Sequence, residues 1–316
     1  MITVQAPRGW GFGVPNSCRG QPTIYNVDMI TTQRTPAAEG SATTETPRQR
    51  ITLQTLREKK QRHEPIAMLT VYDHPTARIL EAAGVDVLLV GDTAAVTLLG
   101  ADSTVVATLD FLITLTAAVR RGAPQSFVMA DMPFATYPDV PTAVAHAARF
   151  VCEAGADAVK FEMDVRHVPM VQALAAAGIV TCAHVGLLPQ RALQEGGYVA
   201  QGRTAAEAKR IVDTAVALAK AGAHLLLIEA VPDEVTAQIV RSVDCPVLGC
   251  GAGSSADGHV VVIHDMLGFS PRAPRFVERY GNVPAAMDQA VRQYVEAVRT
   301  RAYPAGKHQY RMKAGK

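Results

Sequence analysis

Val85-Asp-Val-Leu-Leu-Val-Gly-Asp-Thr93 reads as a buried strand that ends in a tight turn carrying an acid. Val87 to Val90 is apolar and rich in β-branched residues. Such a run suits a strand covered on both faces, as in a parallel sheet. Gly91 lets the backbone turn sharply, so Asp92 stands just beyond the strand's carboxyl end.

Outward from this stretch the same unit recurs. Glu81-Ala-Ala-Gly84 leads into it, Cys152-Glu-Ala-Gly155 leads into Ala-Asp-Ala-Val-Lys-Phe, Ala175-Ala-Ala-Gly178 into Ile-Val-Thr-Cys-Ala, and Leu218-Ala-Lys-Ala-Gly222 into Ala-His-Leu-Leu-Leu-Ile. Each is an alanine-rich helix, a glycine at the position after its last turn, then a short apolar strand. Helices alternating with such strands predict a parallel α/β sheet. Strands are expected at Ile66–Val71, Val87–Val90, Phe127–Ala130, Ala158–Phe161, Val180–Ala183, Leu225–Ile228, Pro246–Gly249 and Val260–Ile263. Eight strands close a TIM-type (β/α)8 barrel. A doubly wound sheet is the alternative, but the glycine-rich phosphate turn usual after its first strand does not follow Val71.

Domain limits follow from composition. Residues 1–50, rich in Thr, Pro, Arg, Gln and Gly and without a sustained period, are expected to be a disordered extension. Met29 is an alternative start, which would leave residues 1–28 untranslated. The barrel is expected over residues 51–305, opening with a helix from Ile51 to Lys60 and closing with a long helix, Val283 to Arg299. Residues 306–316 read as a basic tail.

The net charge of +2 gives no sign of a nucleic-acid partner. No apolar run nears the roughly 18 residues that a membrane span requires. The five cysteines, Cys18, Cys152, Cys182, Cys245 and Cys250, are scattered and form no Cys-x-x-Cys pair. Neither a zinc site nor a disulfide framework is indicated, and a cytoplasmic location is expected.

Polar groups gather at the expected strand ends: Asp92-Thr93, Asp131, Lys160 with Glu162, His184, Glu229, and the turn Gly249-Cys-Gly-Ala-Gly253. In a closed barrel these ends share one mouth. Crowded carboxylates repel unless a cation sits among them, and Mg²⁺ takes hard oxygen ligands. Asp92, Asp131 and Glu162 are the expected metal ligands. Lys160, two residues before Glu162, shares its face of the strand and could hold a substrate carboxylate. Each residue taken alone has a plainer reading: a helix N-cap for the aspartates and Glu229, an ion-pair partner for Lys160, a core histidine for His184. Cys250 reads as a structural thiol. The coincidence at consecutive strand ends favours a site.

These stretches, with Asp102-Ser-Thr104, Thr116-Ala-Ala-Val-Arg-Arg-Gly-Ala-Pro124, Ala130-Asp-Met-Pro-Phe134, Val159-Lys-Phe-Glu162, His184-Val-Gly-Leu-Leu-Pro-Gln190, Gly196-Gly-Tyr198, Gln201-Gly-Arg203, Glu229-Ala-Val-Pro232 and His264-Asp-Met-Leu-Gly268, resemble ketopantoate hydroxymethyltransferase over about residues 51 to 305. The resemblance implies a TIM-type barrel of the phosphoenolpyruvate/pyruvate-binding group. It implies hydroxymethyl transfer from 5,10-methylenetetrahydrofolate to 3-methyl-2-oxobutanoate, giving 2-dehydropantoate for pantothenate synthesis. The family's Mg²⁺ ligands fall on Asp92, Asp131 and Glu162, its substrate-binding positions on Asp92, Thr93, Asp131 and Lys160, and its proton acceptor on Glu229. A ring-forming homo-oligomer, often a decamer, is implied as well.

The expected chemistry is a Mg-stabilised enolate of the 2-oxo acid. Thr93 and Lys160 hold the substrate carboxylate, Glu229 takes the C3 proton, and His184 hydrogen-bonds the substrate or the carboxylates. Departures from the family pattern are Thr93-Ala-Ala-Val for Gly-Asp-Ser's usual continuation Leu-Gly-Met, Leu115 for a common histidine, Cys250 at a variable place, and Met163-Asp164 for Gly-Gly. Asp164 is expected to crowd the floor of the mouth and add a charge there. The rivals are a related Mg-dependent lyase or transferase acting on another 2-oxo acid and a drifted non-catalytic paralogue. The Lys-Lys-Cys-Gly-His type loop of isocitrate lyase and phosphoenolpyruvate mutase is not found, and the intact polar set argues against the paralogue.

Overall fold

A computed structural model describes residues 48–312. The extension expected over residues 1–50 lies, apart from 48–50, outside the described residues, as do residues 313–316 of the tail. Eight strands form a closed parallel barrel in chain order: β1 (Ile66–Thr70), β2 (Val87–Val90), β3 (Phe127–Asp131), β4 (Ala158–Glu162), β5 (Thr181–Gly186), β6 (Leu225–Glu229), β7 (Val247–Cys250) and β8 (Gly258–Val261). β8 returns to pair with β1, which closes the ring.

The repeated unit has a clear physical basis. The glycines at its helix ends, Gly84, Gly155, Gly178 and Gly222, all have positive φ. The acid two residues after Gly84 and Gly155 then turns back under the neighbouring strand. Asp86 accepts the Ala67 N–H at 3.0 Å and Asp157 the Val128 N–H at 2.9 Å. Asp257 does the same for Val247 at 2.8 Å. Lys59 and Lys60, at the end of the helix Leu53–Gln61, pair with Asp86 and Asp257 at 2.7 and 2.8 Å. That helix also sends Leu56, fully buried, into the cluster that fills the barrel with Ile66, Met68, Leu89, Phe127, Met129 and Leu227. The amino-terminal end of the barrel is therefore a plug of apolar side chains ringed by ion pairs, which leaves the other end for chemistry.

Strand limits differ from the sequence expectation mainly at β8. It starts two residues earlier, at Gly258, and Ile263 already begins a helical turn, Ile263–Met266. A Cβ at position 258 would collide with the Ile66 carbonyl oxygen, so the glycine permits the close strand approach that shifts the register. β5 runs on to Gly186.

Two elements lack cover. Residues of β2, β3 and β4 are buried on both faces, whereas β1 and β8 alternate, leaving Ala67, Leu69, His259 and Val261 outward and accessible. The helix Val283–Arg299, as expected in extent, is amphipathic yet has no buried residue. Its apolar side chains Met287, Val291, Tyr294 and Val298 are 43–59% exposed. Tyr303 packs edge-on against Tyr294 and at a tilt against His308 of the short turn Gly306–His308. Among the described residues no helix is long and apolar enough to cross a membrane.

Gly186 locks the carboxyl ends of β5 and β6 together. Its φ is +99°, and a Cβ would collide with the Glu229 carbonyl oxygen and lie 3.0 Å from Val231 Cγ1. Gly186→Ala is expected to lower stability by about 2–4 kcal/mol, from the disfavoured φ and the overlap together. A urea unfolding curve with an unchanged midpoint and slope would count against that crowding.

Candidate active site at the carboxyl ends of the strands

Side chains alternate along a strand, and in this barrel the inward set is fixed by the interior cluster: Met129 on β3, Ala158 on β4, Cys182 on β5, Leu225 and Leu227 on β6, Leu248 on β7. Counting on by twos puts Asp131, Lys160, Glu162, His184, Glu229 and Cys250 inward at the mouth. Cross-strand register sets their order, with Asp131 opposite Lys160, Glu162 opposite His184, and Glu229 opposite Cys250. The result is a row of polar contacts. Lys160 Nζ lies 2.7 Å from Asp131 Oδ1 and 3.4 Å from His184 Nδ1, and His184 Nε2 lies 3.4 Å from Glu229 Oε2.

Asp92 joins from the turn after β2, where its N–H donates to Asp131 Oδ2 at 3.1 Å. It is not the cap of the helix Ala94–Leu99; Thr93 holds that place, and its side chain makes no capping bond. The Thr93 hydroxyl instead meets the Tyr72 hydroxyl at 2.6 Å, at the end of β1. Glu162 accepts the Gln190 backbone N–H with both oxygens, at 3.0 and 3.2 Å. Among the described residues no three side chains of His, Cys, Asp or Glu converge as a ready-made metal cage. The aspartates touch each other, and Glu162 is tied to Gln190.

Burial governs the electrostatics. It raises the Asp92 carboxyl, helped by the charge of Asp131, and it raises Glu162. Glu229 is pushed up to about 7, again by burial, against a smaller opposing pull from Lys160. For Lys160 burial alone would favour the neutral amine, but Asp131, Asp92 and Glu162 outweigh it and hold the ammonium charged. His184 is driven well below its ordinary range by burial and by the Lys160 charge, so its imidazole is neutral.

Asp164 is a correction. The strand ends at Glu162, and the backbone turns so that Asp164 faces away from the mouth. It caps the turn Val165–His167 and pairs with Arg166 at 2.6 Å and Arg191 at 2.7 Å. Met163 packs into the outer core, as Leu115 does. Neither Met163 nor Asp164 crowds the floor of the mouth.

Sequence reasoning quoted Gln190 in a motif but assigned it no role. It is buried, and every polar group it has is used. Nε2 donates to Asp92 Oδ2 and to the Met132 carbonyl, both at 2.9 Å, and Oε1 accepts from the Tyr137 hydroxyl at 2.8 Å. A polar residue closing the apolar run Leu187-Leu-Pro189 was the available signal. Beside the row, a cavity of about 1260 Å³ is lined by Glu229, Tyr198, Arg203 and Phe276, and it continues along the bare outer face of β1 and β8. Asp92, Asp131, Lys160 and Glu162 lie behind it, all at most 7% exposed.

Comparison with known proteins bears on this site. The family model described as ketopantoate hydroxymethyltransferase matches residues 50–306. The chain is 42% identical over 256 residues to the 3-methyl-2-oxobutanoate hydroxymethyltransferase of Geobacillus sp. (strain WCH70), covering 80% of this chain and 92% of that one. It is 42% identical over 255 residues to the enzyme of the same name from Bacillus subtilis (strain 168), with the same coverage. In fold it is similar to phosphoenolpyruvate phosphomutase from Streptomyces platensis subsp. rosaceus, with a TM-score of 0.55, 17% identity, and 79% and 88% of the two chains covered. A phosphonopyruvate hydrolase solved with oxalate and Mg²⁺ gives a TM-score of 0.54 at 16% identity, covering 81% and 92%. A 2,3-dimethylmalate lyase of the phosphoenolpyruvate mutase/isocitrate lyase superfamily gives 0.51 at 19%, covering 80% and 89%. The closed parallel barrel is thus similar in fold to these enzymes, and by the family match and the identity to the two hydroxymethyltransferases the chain belongs to the ketopantoate hydroxymethyltransferase family.

Proposed function

We propose that this protein is a 3-methyl-2-oxobutanoate hydroxymethyltransferase. It transfers a hydroxymethyl group from 5,10-methylenetetrahydrofolate to 3-methyl-2-oxobutanoate and releases 2-dehydropantoate, for pantothenate synthesis in the cytoplasm. The observation that carries this reading is the inward row Asp131–Lys160–His184–Glu229, with Asp92 beside it, in a chain of this family.

The donor set fits Mg²⁺. Asp92 and Asp131 would supply hard oxygen ligands: the Asp92 backbone N–H brings the two residues together at Asp131 Oδ2, and Asp131 Oδ1 has an ionic neighbour in Lys160 but no aligned hydrogen-bond donor. Two carboxylates, completed by water and substrate, are a usual complement for this ion, with Glu162 close behind on Gln190. When bound, the ion supplies a Lewis acid that polarises the 2-oxo group and acidifies the neighbouring C–H.

The protein's own groups divide the remaining work. Lys160, held charged by the carboxylates around it, binds the substrate carboxylate. Thr93 supports that end of the substrate from its hydroxyl pair with Tyr72. Glu229 takes the C3 proton, for which a carboxyl raised to about 7 is well matched to neutral solution. Its carboxylate form is the active one, so activity falls as pH drops through that value.

We also propose a homo-oligomer, of ring form such as a decamer, in which the helix Val283–Arg299 of one copy covers the bare β1–β8 face of another. An amphipathic helix with no buried residue and an uncovered apolar strand face in the same chain support this. Each is what the other lacks.

Glu229→Gln is expected to slow C3 proton exchange of 3-methyl-2-oxobutanoate in deuterated buffer by about 10²- to 10⁴-fold with substrate affinity little changed. Exchange at the parent rate would remove Glu229 from the role of base. For the parent protein, kcat/KM should level off above about pH 7 and fall roughly tenfold per unit below it. A flat profile from pH 5 to 8 would contradict that assignment. By light scattering the protein should be a multiple of its 33.6 kDa chain, and Met287→Glu with Val291→Glu should yield single chains. A parent protein that runs as a monomer would end the assembly proposal.

A further inference from the structure

The turn after β5, Pro189–Arg191, reaches across the mouth and is gripped on both sides by the end of β4. On the inner side Glu162 takes the Gln190 N–H, and on the outer side Asp164 takes Arg191 Nη1 at 2.7 Å. Between these grips the Gln190 side chain spans three further segments: Asp92 after β2, Met132 after β3, and Tyr137. It lies 7% exposed. Nothing about the core requires an amide here, and a buried amide that failed to meet all its partners would be costly.

The chemical type of Gln190 is informative. An amide donates to Asp92 and orients it without neutralising it. A lysine in the same place would supply the missing positive charge itself and leave nothing for a divalent ion to do. Asp92 Oδ2 and both Glu162 oxygens are thereby fixed in direction while their negative charge is kept. Asp164 gives Arg191 a counter-ion at 2.7 Å and so ties down the residue next to Gln190.

We infer that the Asp164–Arg191 ion pair is an outer clasp that seats Gln190, and that Gln190 is a positioning residue setting Asp92 and Glu162 for the divalent ion. The inference rests on the magnesium reading proposed above. The clasp works at a distance: Asp164 and Arg191 touch neither the ion nor the substrate, and they act through the backbone of the turn.

The test uses the full-length protein and Mn²⁺ alone, with bound ion read by electron paramagnetic resonance and folding checked by circular dichroism. Gln190→Met keeps the length but cannot donate, and should weaken Mn²⁺ binding about tenfold or more. Asp164→Asn keeps the cap of the turn Val165–His167 but loses the charge, and should weaken binding about threefold to tenfold, as should Arg191→Met. Arg191→Lys should restore most of the loss. The double variant Asp164→Asn with Arg191→Met should be no worse than either single one, since both remove the same contact. In turnover with Mg²⁺ these variants should raise the Mg²⁺ concentration for half activity and leave kcat at saturating Mg²⁺ nearly intact. A folded Gln190→Met protein that binds Mn²⁺ within twofold of the parent overturns the role of Gln190. If that variant does not fold, the two clasp variants decide, and parental Mn²⁺ affinity in both overturns the inference. Additive losses in the double variant overturn the clasp. A parent protein that binds no Mn²⁺ sinks the magnesium reading itself, a different failure from variants that bind as well as the parent.

Discussion

The contact on which the rest of this site depends is the buried ion pair between Lys160 and Asp131, 2.7 Å apart with side chains 8% and 5% exposed. Removing either charge from water costs several kcal/mol, and such a pair is tolerated only where the surroundings repay the desolvation. Here the surroundings are themselves charged. Asp92, Glu162 and Glu229 add three more carboxyls to the same mouth, with Lys160 as the cation among them. The arrangement is underneutralised by its register: every second residue points inward, and at the ends of β3, β4 and β6 those residues are Asp131, Lys160, Glu162 and Glu229. Burial answers by raising Asp92, Glu162 and Glu229 toward protonation, and a divalent cation answers in the other direction. A site balanced between those two answers suits reversible binding of an ion and an anionic substrate.

That imbalance is affordable because the opposite end of the barrel is so conventional. Asp86, Asp157 and Asp257 each satisfy a strand N–H, and Lys59, Lys60 and Arg120 sit on them. Acids at that end are matched with cations. Acids at the mouth are not. The same repeated sequence unit produces both ends, because a strand of four or five residues must place its first and last side chains on opposite rims.

Much of this was legible in the sequence. The apolar runs gave all eight strands, and the period of two put Lys160 and Glu162 on one face. The same period misleads for Asp164, two residues further on. β4 stops at Glu162, and an Asp that can cap the next turn takes the backbone with it. Gln190 was illegible for a different reason. Its side-chain partners Asp92, Met132 and Tyr137 lie 98, 58 and 53 residues away, and local pattern carries no trace of such contacts. β8 shifted because Gly258 is a point of close strand approach, which the apolar run Val260–Ile263 does not mark. The helix Val283–Arg299 shows the limit of amphipathicity as a guide: its stripe predicts a buried face, yet none of its residues is buried against the barrel.

His184 lies between Lys160 and Glu229, and its protonation state gives the row a direction. Burial and the Lys160 charge keep the imidazole neutral, so one ring nitrogen carries hydrogen and the other accepts. An ammonium can only donate, which makes Nδ1 the accepting side and leaves the hydrogen on Nε2, which lies 3.4 Å from Glu229 Oε2 without an aligned hydrogen bond. The ring therefore brings no full positive charge to Glu229, and burial, against a smaller opposing pull from Lys160, keeps that carboxyl raised. A protonated histidine, or a second lysine, would instead place a full charge beside Glu229 and lower its carboxyl.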